Sequence, residues 1–495
     1  MEELKVLAGL VIHRLSNKVV LLQEGEQSTK EGLFVKALLS NNNFNDSDVS
    51  LKLYGSNPND PKYKMLKYRL KNKLYNNLFF IDYNKIKFKI IYQKEQECIQ
   101  LLHHANLLFR QDELSLATSL AKKILNVSQQ YEFTNISISA LEILLRCYFD
   151  SGNLKLYQSI DKKLRRLIEI KSYEAQAVSL YGLLRLQFKK SVKMRKNYMD
   201  ILTDSLHKLE KLWNTAHTFE TFNSYYKAYM MYYEMIGDFN GIIKLTVLSE
   251  KWLEENKINR LRFEANYNKF ILVYAHLRAK KYAEGLYYAQ QYLEVFMSNT
   301  FNRFAYNENY FLLTIHSKNY LLAESILSKI LNDSGFEKLN QASKERWKLY
   351  SAYFGVVYPG NSFQSTINVN TNPYLLSLPE YSKDKQGFNV AILILQFIHF
   401  LRKHDVEALL YRIESLKKYI NTHLKDTFSL RSKTFLKLLI LTVTEDFDVE
   451  ACKTKGEKLY QKLIDTPAPG DAFAEIEIVP YEHLWELILN IIKEK

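Results

Sequence analysis

From residue 62 to residue 358 the sequence contains no proline, and only 15 of its 495 residues are glycine. Proline costs about 3 kcal/mol inside a helix and glycine about 1, while strands and loops normally carry both. So long a stretch without proline points to helix following helix. Cysteine is equally scarce: Cys98, Cys147 and Cys452 are isolated and odd in number. That excludes a disulfide framework and fits a reducing compartment. Long apolar runs are missing too. The longest, 390–401, contains Gln396 and His399; it suits a buried core helix, since a membrane span needs about twenty residues. Glu2 and Glu3 stand where a secretory leader wants positive charge. The expectation is a cytoplasmic chain that does not engage a membrane.

Catalytic signatures are absent as well. There is no phosphate-cradling glycine loop, no metalloprotease His-Glu pair, no serine elbow and no paired-cysteine motif. The eleven histidines are scattered. His103 and His104 are adjacent, so on a helix they diverge by about 100°. No metal, cofactor or enzymatic activity is expected, although catalytic groups could still converge from distant segments.

What the chain does contain is an ordinary globular mixture, 47% apolar and 25% charged, which excludes disorder. A chain of this length divides into several domains unless it is an extended repeat. The net charge of +14 is concentrated in two places. Residues 61–89 hold nine Lys/Arg against Asp82 alone, and 155–196 hold twelve against three acids. The candidate phosphate or nucleic-acid patch is Lys64, Lys67, Arg69 and Lys71 in the first segment with Lys162 and Arg165 in the second. The alternatives are a solvated helix face and a Lys-, Asn- and Ile-rich codon bias.

Apolar spacing is helical: Phe222, Tyr225, Tyr226, Tyr229, Tyr233 and Ile236 form one stripe, Phe270, Ile271, Tyr274 and Leu277 another. A five-residue pattern also recurs: polar, bulky apolar, two variable, then small or apolar. Copies start at Glu113, Asn153, Asn197, Asp238, Lys281, Asn319, Asp405 and Asp448, with gaps of 40, 44, 41, 43, 38, 86 and 43. The period is about 42, with one copy missing near residue 362. Each polar residue is placed to cap a second helix, and one helix pair cannot bury both its faces, so neighbours must stack.

This pattern resembles the tetratricopeptide repeat, most clearly in Leu-Arg-Ala-Lys-Lys-Tyr-Ala-Glu-Gly-Leu at 277–286 and Ile-Gly-Asp-Phe at 236–239. That family's period is 34 residues, so each helix here should be about a turn longer. The expected fold is all-α: a right-handed α-solenoid of tetratricopeptide-like helix pairs, preceded by a small helical module compatible with a helix-turn-helix. The expected boundaries are 1–92 for that module, 93–358 for repeats, 359–388 for an irregular insertion, 389–465 for further repeats, and 466–495 for a loop and capping helix. A capping box is expected at 28–31, a short helix capped by Asp46 or Asp48, and a basic helix opened by Asp60-Pro61. A strand is possible at 474–479.

The resemblance implies that first helices line an inner groove that takes an extended protein or peptide partner. Asn223 and Asn266 both stand fifteen residues before their repeat's turn, with Lys227 and Lys269 beyond them and Tyr226 and Tyr267 beside them. These six are the candidate partner-binding residues; ordinary exposed polar groups and core tyrosines are the alternative. The second functional reading is a regulator whose amino-terminal module contacts DNA.

Overall fold

The computed structural model describes residues 1–12, 29–39, 45–81, 89–188, 199–297, 300–359, 388–424, 430–466 and 477–494. Among these residues there are twenty-two α-helices and no strand. The chain divides into two compact units, 1–175 and 176–495.

The first unit opens with α1 (Glu2–Ile12), α2 (Lys30–Leu39), α3 (Asp46–Tyr54) and α4 (Pro61–Leu78). Their core is local: Leu66, Leu70 and Leu74 of α4 are buried against Leu4, Phe34, Val35 and Val49. The caps follow the sequence closely, one residue displaced at α2 and α3 and exact at α4. Thr29 accepts the Gly32 N–H, at 3.2 Å, to open α2; Ser28 lies outside the described residues. Asn45 caps α3, while Asp48 completes the reciprocal box and Gly55 ends the helix in the left-handed region. Asp60 accepts the Lys62 N–H with Pro61 at N1. A second core joins α5 (Ile90–Arg110), α6 (Leu114–Gln130), α7 (Thr134–Asp150) and the start of α8 (Leu154–Phe188).

The second unit contains the end of α8, then α9 (Met199–Ala216), α10 (Phe219–Ile236), α11 (Phe239–Glu254), α12 (Ala265–Arg278), α13 (Tyr282–Gln291) and the short α14 (Leu293–Met297). It continues with α15 (Thr300–His316), α16 (Tyr320–Leu331), α17 (Gln341–Val357), α18 (Phe388–Arg402), α19 (Val406–His423), α20 (Leu430–Thr444), α21 (Val449–Asp465) and α22 (Tyr481–Lys493).

Seven of the eight pattern copies fall on described turns; Asn197 does not. In all seven a left-handed residue comes first: Asp112, Gly152, Gly237, Lys280, Lys318, His404 or Phe447, with φ between 56° and 74°. The next N–H then reaches back five residues. Glu113, Asn153, Asp238, Lys281, Asn319 and Asp405 donate to Leu108, Tyr148, Tyr233, His276, Thr314 and Phe400, at 2.8–3.1 Å. This closure satisfies carbonyls that a helix end leaves open. In the last copy it slips by one residue, and Phe447 donates to Thr442.

The polar residue of the pattern then caps the following helix. Side chains of Asn153, Asp238, Asn319, Asp405 and Asp448 accept the N–H three residues on, whereas Glu113 and Lys281 make no cap bond. The fifth position is buried at Ala117, Ile242, Gly285, Ala323, Leu409 and Cys452. At Gly285 a Cβ would sit 2.7 Å from Leu313 Cδ2, so the small residue admits a neighbouring helix. Asp238→Ala, Asp405→Ala and Asp448→Ala should each cost about 1 kcal/mol in urea unfolding. Glu113→Ala and Lys281→Ala should stay within about 0.5. Equal costs across the two groups would remove the capping role.

Three features depart from expectation. Helix α8 runs unbroken for 35 residues, because 165–180 holds no Gly, Pro or Asn to turn it. Residues 477–479 form no strand; 474–476 and all but the two end residues of the insertion expected at 359–388 lie outside the described residues. Finally, α22 does more than cover an end. Lys280 and Lys318, at two successive turns, pair with its Glu482 and Glu486 at 3.1 and 2.9 Å, while Tyr481 stacks on Phe435 of α20 at 4.6 Å.

Candidate functional site

Helices α10 and α12 are the first members of consecutive pairs. On α10, Phe222, Ser224, Tyr225, Tyr226 and Ala228 are buried. The opposite row, by the helix's 3.6-residue turn, is Asn223, Lys227, Met231 and Glu234, with Lys227 exposed and the others half-buried. On α12 the buried set is Asn268, Leu272, Val273, Ala275, His276 and Leu277. Its opposite row is exposed Tyr267 followed by half-buried Ile271, Tyr274 and Arg278. The Tyr274 hydroxyl donates to Glu234, at 3.1 Å, and ties the two rows together.

Tyr267 keeps 51% of its surface open to solvent. Even so, its phenol is held above the ordinary pKa, first by the protein around it and then by Glu234, Tyr181 and Glu264. Beneath this surface lies a polar contact between the helices. The Tyr226 hydroxyl donates to Asn268 Oδ1 at 2.8 Å, and Asn268 Nδ2 donates to the Thr246 carbonyl at 3.1 Å and to Glu250 at 3.3 Å. Burial raises the Glu250 carboxyl, with Asn268 and Lys269 opposing.

Of the six expected partner-binding residues, Asn223, Lys227 and Tyr267 stand on the open rows. Tyr226 does not: it is 4% exposed and spends its hydroxyl on Asn268, because it shares the helix face of Phe222 and Tyr225. Asn266 is exposed in the first turn of α12, about 100° round from Tyr267. Lys269 is half-buried with its ammonium 5.1 Å from the Tyr292 ring centre, on the side facing the second helices. The hydrogen bonds and ion pair that α10 makes with α12 and with Arg262 just before it join residues 40 or 42 apart. A register fixed by counting back from the turns did not anticipate that. Sequence reasoning missed Asn268, whose signal was a lone amide on an apolar face.

The basic patch is divided in the same way. Lys67 pairs with Asp46 at 2.7 Å, Lys71 with Glu3 at 2.9 Å and Lys73 with Glu31 at 3.0 Å. Lys67 and Lys71 therefore face the acids of neighbouring helices rather than an outside phosphate. Lys64 and Arg69 are exposed. In the second patch Lys162 is exposed, and Arg165 pairs with Asp161 at 2.8 Å.

No protein-family model matches the chain, nor does any curated protein or solved structure. Among the described residues no three His, Cys, Asp or Glu side chains converge to hold a metal ion, and no helix is long and apolar enough to cross a membrane.

Proposed function

We propose that the chain is a non-enzymatic scaffold that binds a protein or peptide segment along the open faces of its first helices. In this reading the helix pairs stack as a right-handed, tetratricopeptide-like α-solenoid with a period of about 42. The recurring left-handed turn and cap carry the proposal, because one local device repeated at that spacing generates stacked equivalent pairs. Contacts separated by about one period support it: Thr134 with Glu174, Tyr226 with Asn268, Tyr274 with Glu234, and Tyr353 with the Ala391 carbonyl.

These two helix rows offer an amide at Asn223, an ammonium at Lys227, a phenol at Tyr267 and the carboxylate of Glu234. Such a mixture suits main-chain amides and side-chain carboxylates of an extended segment. The test is selection of binders from a random peptide library on the full chain, followed by titration of single peptides. Asn223→Ala with Lys227→Glu should weaken the selected peptides at least tenfold, while Asn266→Ala with Lys269→Ala leaves them unchanged. Equal loss in both variants, or no selected peptide sensitive to the first, would remove this surface as the site. The amino-terminal pairing of Lys67 and Lys71 with acids gives the duplex-DNA reading no comparable support.

A further inference from the structure

The outward face of α4 is not a simple solvated surface. Met65 is 57% exposed, Tyr68 63%, Tyr75 43% and Phe79, just past the helix, 36%. These positions recur at helical spacing and form one stripe about 20 Å long at 1.5 Å per residue. Asn72 and Asn76 lie within the stripe and are exposed, and Lys62, Lys64 and Arg69 flank it. Aromatic character continues beyond the helix. The Phe79 ring is edge-on to Phe80 at 6.0 Å, to His103 at 5.6 Å and to His104 at 6.2 Å. Gln100 fixes this corner by donating to the Phe79 carbonyl at 2.8 Å.

We propose that this face binds single-stranded RNA. Three physical arguments select that occupant. The charge is complementary to phosphate: residues 61–89 carry nine cationic side chains against one acid, and those on the outward side, Lys62, Lys64 and Arg69, stand apart from the lysines that pair with Asp46, Glu3 and Glu31. The same charge disfavours a second copy of this chain. Next, the large exposed groups are mostly flat rings, and unpaired bases stack on rings without regard to sequence. A duplex buries its base faces within the stack, out of reach of such rings.

The third argument concerns the two asparagines. Covering Asn72 and Asn76 with an apolar protein face would strand their amides without partners, which is unfavourable. Between stacked bases the same amides meet sugar hydroxyls and base edges. The 2′-hydroxyl, both donor and acceptor, is the group that distinguishes ribose from deoxyribose there. The occupant is therefore a short single strand of RNA, its bases on Tyr68 and Phe79 and its phosphates toward Lys64 and Arg69; Tyr75 is engaged by Glu3 and Lys71.

The experiment is fluorescence anisotropy of the full chain with labelled rU12, dT12 and a 12-base-pair duplex, at 50–200 mM salt. The expected order is rU12 tighter than dT12, with the duplex weakest, and affinity falling with salt as phosphates are neutralised. Tyr68→Ala should weaken rU12 binding roughly 5- to 100-fold, whereas Tyr68→Phe keeps the ring and the affinity. Lys64→Glu with Arg69→Glu should lower both affinity and salt slope. All three positions are exposed, and unchanged circular dichroism melts verify folding. Equal affinity for dT12 would overturn the ribose assignment. Duplex binding as tight as rU12, no binding at 50 mM salt, equal displacement of rU12 by polyglutamate, or an unaffected Tyr68→Ala variant would overturn the site.

Discussion

Replacing Arg431 with alanine is expected to destabilise the 176–495 unit by about 3–5 kcal/mol, the usual result of breaking a buried ion pair from one side. Arg431 is only 2% exposed. Its Nη1 donates to the Leu463 and Thr466 carbonyls at 2.6 and 2.8 Å, and its Nη2 to Glu482 at 2.9 Å and Glu477 at 3.0 Å. The side chain thereby joins the start of α20, the end of α21 and the start of α22. Removing it leaves two carboxylates and two carbonyls without their donor in a poorly solvated place. Arg431→Lys should recover little, since an ammonium cannot reproduce the planar fork. Arg431→Met combined with Glu477→Gln and Glu482→Gln should be less damaging than Arg431→Ala alone, because no buried charge is left over. Thermal and urea unfolding followed by circular dichroism measure all three; a loss below about 1 kcal/mol for Arg431→Ala would mean that water re-enters and solvates the acids.

The same cluster fixes an acid response. Burial alone would raise the Glu482 carboxyl, but Arg431, the backbone and Lys280 bring it below the ordinary value of 4.5. A depressed folded pKa contributes stability that is complete above 4.5 and is lost as pH falls below it through the folded value. The cluster should therefore loosen only in acid.

Local signals in this chain were legible wherever one residue type has one mechanical use. Asp60-Pro61 read as a helix start because an acceptor before N1 proline has few other roles, and α4 begins there. The pattern polars read as caps for the same reason, and five of the seven described copies cap. The left-handed residue before each was invisible. It is Asp, Gly, Gly, Lys, Lys, His and Phe in turn, because the backward hydrogen bond imposes the conformation whatever the side chain. Direction was also hard to read. Lys67 and Lys71 share a helix face with Lys64, yet acids on α1 and α3, distant in sequence, draw those two inward. Tyr226 looked amphipathic, but the partner of its hydroxyl is Asn268, 42 residues away. Side-chain partners across the helix pairs are a tertiary property, and a single sequence carries no alignment in space.

Glu308 should make the 176–495 unit less stable as pH rises through neutrality, opposite in sign to the Arg431 cluster. It sits on α15 with 17% of its side chain exposed, and its nearest cation, Arg346 of α17, approaches only to 3.5 Å. Burial pushes its carboxyl up to about 7 from an ordinary 4.5, with Arg346 offsetting only part of that. Fully buried Tyr350 is raised as well, by burial and then by Glu308. A raised folded pKa contributes stability that is complete below 4.5 and is lost as pH climbs through about 7. A shift of this size corresponds to about 3 kcal/mol at 1.36 kcal/mol per unit. Glu308→Gln, which cannot ionise, should match the parent near pH 4 and exceed its stability by about 1–3 kcal/mol at pH 8. Urea unfolding at several pH values separates the outcomes: parallel profiles for parent and variant would show that Glu308 is solvated when charged. The position matters because Glu308 stands eleven residues before the Asn319 turn, as Lys227 stands eleven before the Asp238 turn. If the pairs stack as proposed, the position that carries exposed Lys227 in one pair carries in another a largely buried carboxyl whose charge changes near neutrality.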